Sequence, residues 1–247
     1  MDVLVTGLNG TVAPVLARTL EARGHRIIRW DRTLVPPDNE DRVRSFIDAE
    51  SPHAIAHLAT GPPEWAELLA RVAQETNIRL LYTSSVSVYG DDQSGPFAPD
   101  AIPTPGSEYG KYKLDCEHRI MLVNPRSIVV RIGWQIGWER GGNHMVDHLH
   151  KMHDEQGEIK ASTNWYQACS FLEDTSDSLT TLLEADTFGL YHLDSNPGLS
   201  FYEIVSKLNH LIQASWNVQP DTQPSINNRL LDDRVPVRSL RDVFRNV

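Results

Sequence analysis

A chain of 247 residues with 40% hydrophobic content is long enough to bury one sizeable core, and its net charge of −10 supplies no clustered positive surface for the phosphates of a nucleic acid. No run of about eighteen apolar residues is present to span a bilayer, and Met1-Asp2-Val3-Leu4-Val5 reads as a strand and not as a signal peptide. The expected compartment is the cytoplasm, and the expected partner is a small molecule.

Short apolar runs rich in Val, Ile and Leu alternate with amphipathic stretches along the first third of the chain. Residues 3–6, 26–30, 54–58 and 78–83 read as strands, and residues 12–22, 41–49 and 64–75 as helices. The strand candidates lack a polar face of period two, as happens when helices cover both sides of a parallel sheet. The pattern predicts an α/β fold with a Rossmann-type doubly wound parallel sheet. Residues 90–106, rich in Pro, Asp and Gly, read as a surface loop of a length that is often functional. Residues 107–123 read as a helix stopped by Asn124-Pro125, and residues 127–131 as another buried strand. From residue 133 to 170 the pattern loosens around Trp134, Trp138 and Trp165, with a polar helix over 144–155. A strand near 190–193 is expected to return to the sheet, followed by a helix over 200–212 that Ser200 and Glu203 open as a capping box. Cys116 and Cys169 lie outside any C-x-x-C spacing, so neither a disulfide framework nor a zinc site is indicated. His144 and His148, four apart, read as part of a polar helix face, and no metal is expected.

Gly7-Leu8-Asn9-Gly10-Thr11-Val12-Ala13 sits between the first strand and the first helix, where a glycine motif points to a dinucleotide. Gly7 permits the turn, Gly10 lets the backbone approach a pyrophosphate, and the helix N-terminus adds N–H donors and positive dipole; Asn9, Thr11 and Val12 complete the loop. Asp31, just after the second strand, is placed to accept hydrogen bonds from the adenosine ribose of NAD. Its neighbour Arg32 can instead pair with the 2′-phosphate of NADP, so the preference leans only slightly to NAD. Strand-end residues Leu58, Ala59, Thr60 and Thr83 are expected along the same cofactor. The division expected from these features is a NAD(P)-binding domain over 1–133 and mainly a substrate-binding lobe over 134–247.

Tyr109 and Lys113 lie four residues apart on a predicted helix, hence on one face. An ammonium about 4 to 5 Å from a phenol is worth roughly 3 to 4 kcal/mol at an effective dielectric of about 20, enough to lower the phenol pKa. Such a tyrosine can protonate an alkoxide forming at a carbonyl. Tyr112 competes for that role but has no lysine at the same offset. Thr83-Ser84-Ser85-Val86-Ser87-Val88-Tyr89-Gly90 ends a predicted central strand, where hydroxyls face the ligand crevice.

Taken in order, the glycine motif, the T-S-S-x-x-V-Y-G run and the Y-x-x-x-K pair resemble the extended short-chain dehydrogenase/reductases. The resemblance implies that Ser85 hydrogen-bonds the reacting oxygen, that Tyr109 is the acid, that Lys113 also holds the nicotinamide ribose, and that the chain forms a homodimer. Within that superfamily, Arg131-Ile132-Gly133-Trp134, Gly142-Asn143-His144-Met145 and Gly189-Leu190-Tyr191-His192-Leu193 are similar to the dTDP-4-dehydrorhamnose reductases. That similarity implies substrate contacts from Trp134 and Asn143, although packing of the lobe core is an equal reading for Trp134. Two departures stand out: Gly61 falls where a helper asparagine often lies, and residues 164–170 replace a D-Q-x-G-x-P-T pattern.

The resemblance implies a reductase passing hydride from NAD(P)H to a ketone, expected on a nucleotide sugar. A nucleotide-sugar epimerase with tightly bound NAD is the first alternative. A dehydratase is disfavoured because Val86-Ser87 stands where those enzymes carry an Asp-Glu pair. A non-catalytic NAD(P)-binding regulatory protein is the alternative from another class.

Overall fold

The computed structural model describes residues 1–90, 93–138 and 140–245. Strand β1 (Asp2–Thr6) leads to helix α1 (Ala13–Ala22), and β2 (Arg26–Arg29) leads to α2 (Glu40–Glu50). Then come β3 (Ala54–His57), α3 (Pro63–Thr76), β4 (Arg79–Ser85), a 3-10 turn (Val86–Val88), α4 (Glu108–Val123) and β5 (Ile128–Ile132). β10 (Gly189–Leu193) completes a parallel six-stranded sheet of order β10-β5-β4-β3-β1-β2. The order reverses between β1 and β3, which opens a crevice at their carboxyl ends, the usual place for a ligand in such sheets. The expected doubly wound α/β fold is the one observed.

Local chemistry sets the boundaries. Asn39 caps α2 through the Arg42 amide, Ser107 caps α4 through the Gly110 amide, and Ser200 with Glu203 forms the capping box of α7 (Phe201–Leu211). One face of the sheet buries Leu4, Ile55, Leu80 and Val129 against α2, α3 and α4, around Trp65 and Leu69. The other buries Val3, Val5, Leu81 and Val130 against α1 and α6 (Leu172–Glu184). The apolar pattern of the sequence does not disclose α6. Its buried positions include Thr175, Ser176, Ser178 and Thr180, and the Ser178 and Thr180 hydroxyls are satisfied by carbonyls one turn back at 3.0 and 2.8 Å, so buried polar residues blur the helical period.

The lobe is built from three short parallel strand pairs. β6 (Trp134–Ile136) pairs with β9 (Cys169–Phe171), β7 (Ile159–Ser162) with β11 (Val218–Asp221), and β8 (Trp165–Gln167) with β12 (Ile226–Asn228). They pack with α5 (Met145–Gln156), α7 and α8 (Leu240–Val243) around Ile136, Phe171, Ile204 and Trp216. The segment expected as a surface loop is anchored through Phe97, which is buried, stacks on Tyr89 at 4.0 Å and bridges Leu230. Residues 91 and 92 of that loop lie outside the described residues. No helix among the described residues is long and apolar enough to cross a membrane.

Candidate active site

A cleft of about 1180 Å³ runs along the carboxyl ends of the strands and under the lobe. The residues expected to bind cofactor or substrate or to act in catalysis line it, while Tyr112 and Gly61 do not. At one end are Gly7, Asn9, Gly10, Thr11, Val12, Asp31, Arg32, Leu58, Ala59 and Thr60; toward the other are Thr83, Ser85, Tyr109, Lys113 and Trp134, while Asn143 sits beside Thr11. Arg29, Thr33 and Gln135 also line it and carry no motif in the sequence.

Gly7 has φ +82°, and a Cβ there would lie 2.9 Å from the Ala59 amide nitrogen, so the turn requires glycine both for its backbone and for the approach of β1 to β3. The Gly10 amide donates to the Gly7 carbonyl at 2.8 Å, closing the turn. No side chain caps α1, whose N-terminus therefore points its dipole into the cleft without a local acceptor. The lobe reaches back to this loop, with the Thr11 hydroxyl donating to the Asn143 carbonyl at 3.4 Å.

At the end of β2, Asp31 accepts hydrogen bonds from the Thr33 amide and hydroxyl at 2.8 and 2.7 Å, and the hydroxyl contact chiefly lowers its pKa. Arg32 donates to the Thr60 carbonyl and lays its guanidinium over the Trp65 ring at 4.9 Å. Behind β3, the Thr6 hydroxyl accepts the Leu58 and Ala59 amides and so gives its own proton to His57 Nδ1 at 2.9 Å. Burial, helped by the Lys113 charge, lowers the His57 pKa to about 3, and burial lowers that of His192 to about 4. Both histidines are neutral in the folded chain between those values and 6.5, where the unfolded chain binds protons; acidification through that window therefore destabilises the fold. Stability by urea unfolding is expected to drop by about 2 kcal/mol for each histidine between pH 7 and pH 5. An unchanged midpoint would refute their neutrality.

Lys113 is 3% exposed and donates to the Thr83 carbonyl at 2.8 Å, below the rings of Tyr82, Tyr109 and Tyr112. Burial lowers its pKa to about 8. The expected depression of the Tyr109 pKa by Lys113 is not found. Nζ lies 5.8 Å from the Tyr109 ring centre, and desolvation raises the phenol pKa while a hydrogen bond with Ser85 partly opposes the rise. Tyr109 keeps 49% of its surface exposed, so its inner edge carries the desolvation while the rest faces the open cleft. Tyr112 turns away, its hydroxyl accepting the Gly61 amide at 3.1 Å. The Ser85 hydroxyl, buried at the end of β4, accepts the Ser87 amide at 3.1 Å and donates to the Ser87 hydroxyl at 3.1 Å. α4 can come this close because residue 110 is glycine: a Cβ there would sit 2.0 Å from the Ser87 carbonyl oxygen.

Trp134 both lines the cleft and packs the lobe, with ring centres 6.4 Å from Trp165, 6.2 Å from Phe201 and 5.4 Å from His148. His144 Nδ1 accepts the Asp147 amide as the cap of α5. His148, the other histidine considered for a metal, is exposed beside the Trp134 ring, and no group of three or more His, Cys, Asp or Glu able to hold an ion occurs among the described residues.

The arrangement can bind a dinucleotide along the strand ends and present a phenol and a hydroxyl to a reacting oxygen. Residues 64–229 match the family described as RmlD substrate binding domain, and residues 3–124 match the NAD dependent epimerase/dehydratase family. A dTDP-4-dehydrorhamnose reductase from Aggregatibacter actinomycetemcomitans is 25% identical over 223 residues, covering 81% of this chain and 75% of that protein. A methionine adenosyltransferase 2 subunit beta from Xenopus tropicalis is 27% identical over 231 residues, covering 81% and 69%. The crystal structure of dTDP-4-dehydrorhamnose reductase from Bacillus anthracis in complex with NADP superposes with a TM-score of 0.83 at 19% identity, over 98% of this chain and 96% of that one, a likeness of fold. The chain therefore belongs to the RmlD substrate binding domain family, within the NAD(P)-dependent extended short-chain dehydrogenase/reductase enzymes.

Proposed function

We propose that this chain reduces a ketone on a nucleotide sugar at the expense of NAD(P)H, with Tyr109 as the proton donor. The observation that carries the reading is the meeting of Ser85, Tyr109 and Lys113 at the end of the cleft opposite the Gly7 to Gly10 turn. A nicotinamide dinucleotide suits the residues present, since the α1 N-terminus has no side-chain cap and the Gly7, Asn9, Gly10 and Thr11 loop lines the cleft beside it. When bound, that group supplies the hydride. The chain does the rest: Ser85 and Tyr109 hydrogen-bond the substrate oxygen, the Tyr109 phenol releases its proton to that oxygen, and Lys113 fixes the ribose side of the cleft. Trp134 and Asn143 border the sugar. The test is oxidation of NADH and NADPH against a panel of 4-keto nucleotide sugars, dTDP-4-dehydrorhamnose among them. Turnover without cofactor consumption would instead make the chain an epimerase.

For the choice of cofactor, the Asp31 carboxylate favours the ribose hydroxyls of NADH, while Arg29 and Arg32 offer charge to a 2′-phosphate. Asp31→Ser is expected to shift the ratio of kcat/KM values toward NADPH by about tenfold, by removing a like charge from the phosphate site. An unmoved ratio would take Asp31 out of the cofactor site.

A second reading, a non-catalytic NAD(P)-binding regulatory subunit, is favoured by the similarity to methionine adenosyltransferase 2 subunit beta and by Gly61 in the helper position. Turnover that disappears in Tyr109→Phe would remove it. Homodimerisation through the sheet-flanking helices is part of the proposal and is read by sedimentation. On the outer faces of α3 and α4, Arg119 already pairs with Glu67 and Asp115 at 2.9 and 3.0 Å, so such an interface would be polar.

A further inference from the structure

Among the described residues that line the cleft, Gln135 is the one whose side chain carries a buried polar atom without a hydrogen-bond partner. It occupies the middle of β6. Trp134 and Ile136 on either side pack the lobe core, strand alternation turns Gln135 to the opposite face of β6, and the residue lines the cleft. The residue is only 6% exposed. Its Nε2 donates to the Gly133 carbonyl at 3.0 Å, which fixes the amide, because the reversed orientation would set two oxygens against each other. Oε1 therefore points away from Gly133 and is the unpartnered atom. An amide oxygen can only accept, and a buried acceptor left unmade costs more than an ordinary hydrogen bond returns. A donor entering from the cleft would relieve that cost.

We infer that Gln135 is a ligand-positioning residue whose Oε1 accepts a hydrogen bond from an N–H or O–H group of the molecule held between the end of β5 and the lobe. Two donors of that chemistry would be present there: the carboxamide of a nicotinamide and a hydroxyl of a sugar. Their identity rests on the reductase reading, whereas the unpartnered acceptor does not. A site built around such an acceptor discriminates against ligands that lack the donor.

Gln135→Met keeps the length of the side chain and removes the acceptor. On the full chain, without turnover, three quantities decide the matter: the melting temperature of the free protein, the Kd for NADH and NADPH, and the Kd of dTDP-rhamnose for the reduced-cofactor complex. The melting temperature is expected to hold or rise, while one of the two affinities weakens about 5- to 30-fold and the other stays within about twofold. Loss on the cofactor identifies the carboxamide. In that case the reduced 3-acetylpyridine analogue, which has no amide N–H, binds wild type and variant alike. Loss confined to dTDP-rhamnose identifies the sugar hydroxyl. Unchanged affinities, or a fall in melting temperature with equal loss of both ligands, overturn the inference. So does failure of both Gln135→Met and Gln135→Leu to fold. If wild type binds cofactor but not dTDP-rhamnose, the sugar reading fails, and Gln135 is judged on the cofactor alone.

Discussion

Tyr109→Phe is expected to lower kcat by about 10²- to 10⁴-fold while leaving the Kd for NADH within about twofold, since it removes the proton donor and little of the cofactor contact. The pH dependence separates this tyrosine from its lysine. The phenol pKa is raised by desolvation, so Tyr109 stays protonated through the neutral range and places no limb there. Lys113 titrates at about 8, because burial at the end of β4 disfavours its charge. Below that value it is an ammonium that can hold a ribose hydroxyl; above it the charge is lost. The alkaline limb of kcat/KM is therefore expected near pH 8 and not near the phenol range, and it should vanish from the residual activity of Lys113→Met. A limb that survives in Lys113→Met would belong to another group. A Tyr109→Phe variant of undiminished kcat would return the chain to the regulatory reading.

The part of the site most legible in the sequence is the part built from local chemistry. Gly7 to Val12 had to be a strand-to-helix turn, and the offset of four between Tyr109 and Lys113 had to place both on one face of α4. Those constraints act within a few residues. What escaped was set by partners distant in sequence. The three-residue strands β6, β8 and β12 exist only because they pair with one another or with β9, and no period of two can be read from so few positions. Helix α6 buries threonines and serines against the sheet, so hydropathy understates it. The Tyr109 pKa was misjudged for a related reason. A phenol and an ammonium four residues apart can be placed from the sequence, but the desolvation that raises the phenol pKa, against the Ser85 hydrogen bond, comes from how distant segments pack around the ring. Gln135 carries no motif, and its place in a three-residue strand leaves no period from which its direction could be read.

Behind the reactive trio, a charged network ties five segments together, and breaking it is expected to have the largest effect on stability. Glu117, one turn beyond Lys113 on α4, forms a two-pronged pair with Arg131 of β5 at 2.7 and 3.0 Å, and both side chains are almost wholly buried. Ser84 of β4 donates to the same carboxylate, Arg131 also donates to the Tyr89 hydroxyl at 2.7 Å, and that hydroxyl meets His192 of β10 at 3.3 Å. Three of the five Arg131 N–H protons and both Glu117 oxygens thus have partners, the kind of pairing under which buried charges are tolerated. Glu117→Met leaves the Arg131 guanidinium buried without its counter-charge and is expected to cost about 3 to 5 kcal/mol in urea unfolding. Adding Arg131→Met removes the stranded charge, so the double variant should recover much of that loss and the cycle should show a coupling of about 2 kcal/mol or more. Additive losses would mean that the two side chains stabilise their segments independently. The network also bears on the chemistry. Glu117 and Ser84 flank Lys113 and Ser85 in sequence and hold α4 against β4, so even a well-folded double variant should lose kcat more than cofactor affinity. Equal loss of both would mean that the network supports the fold alone and leaves the reacting groups where they are.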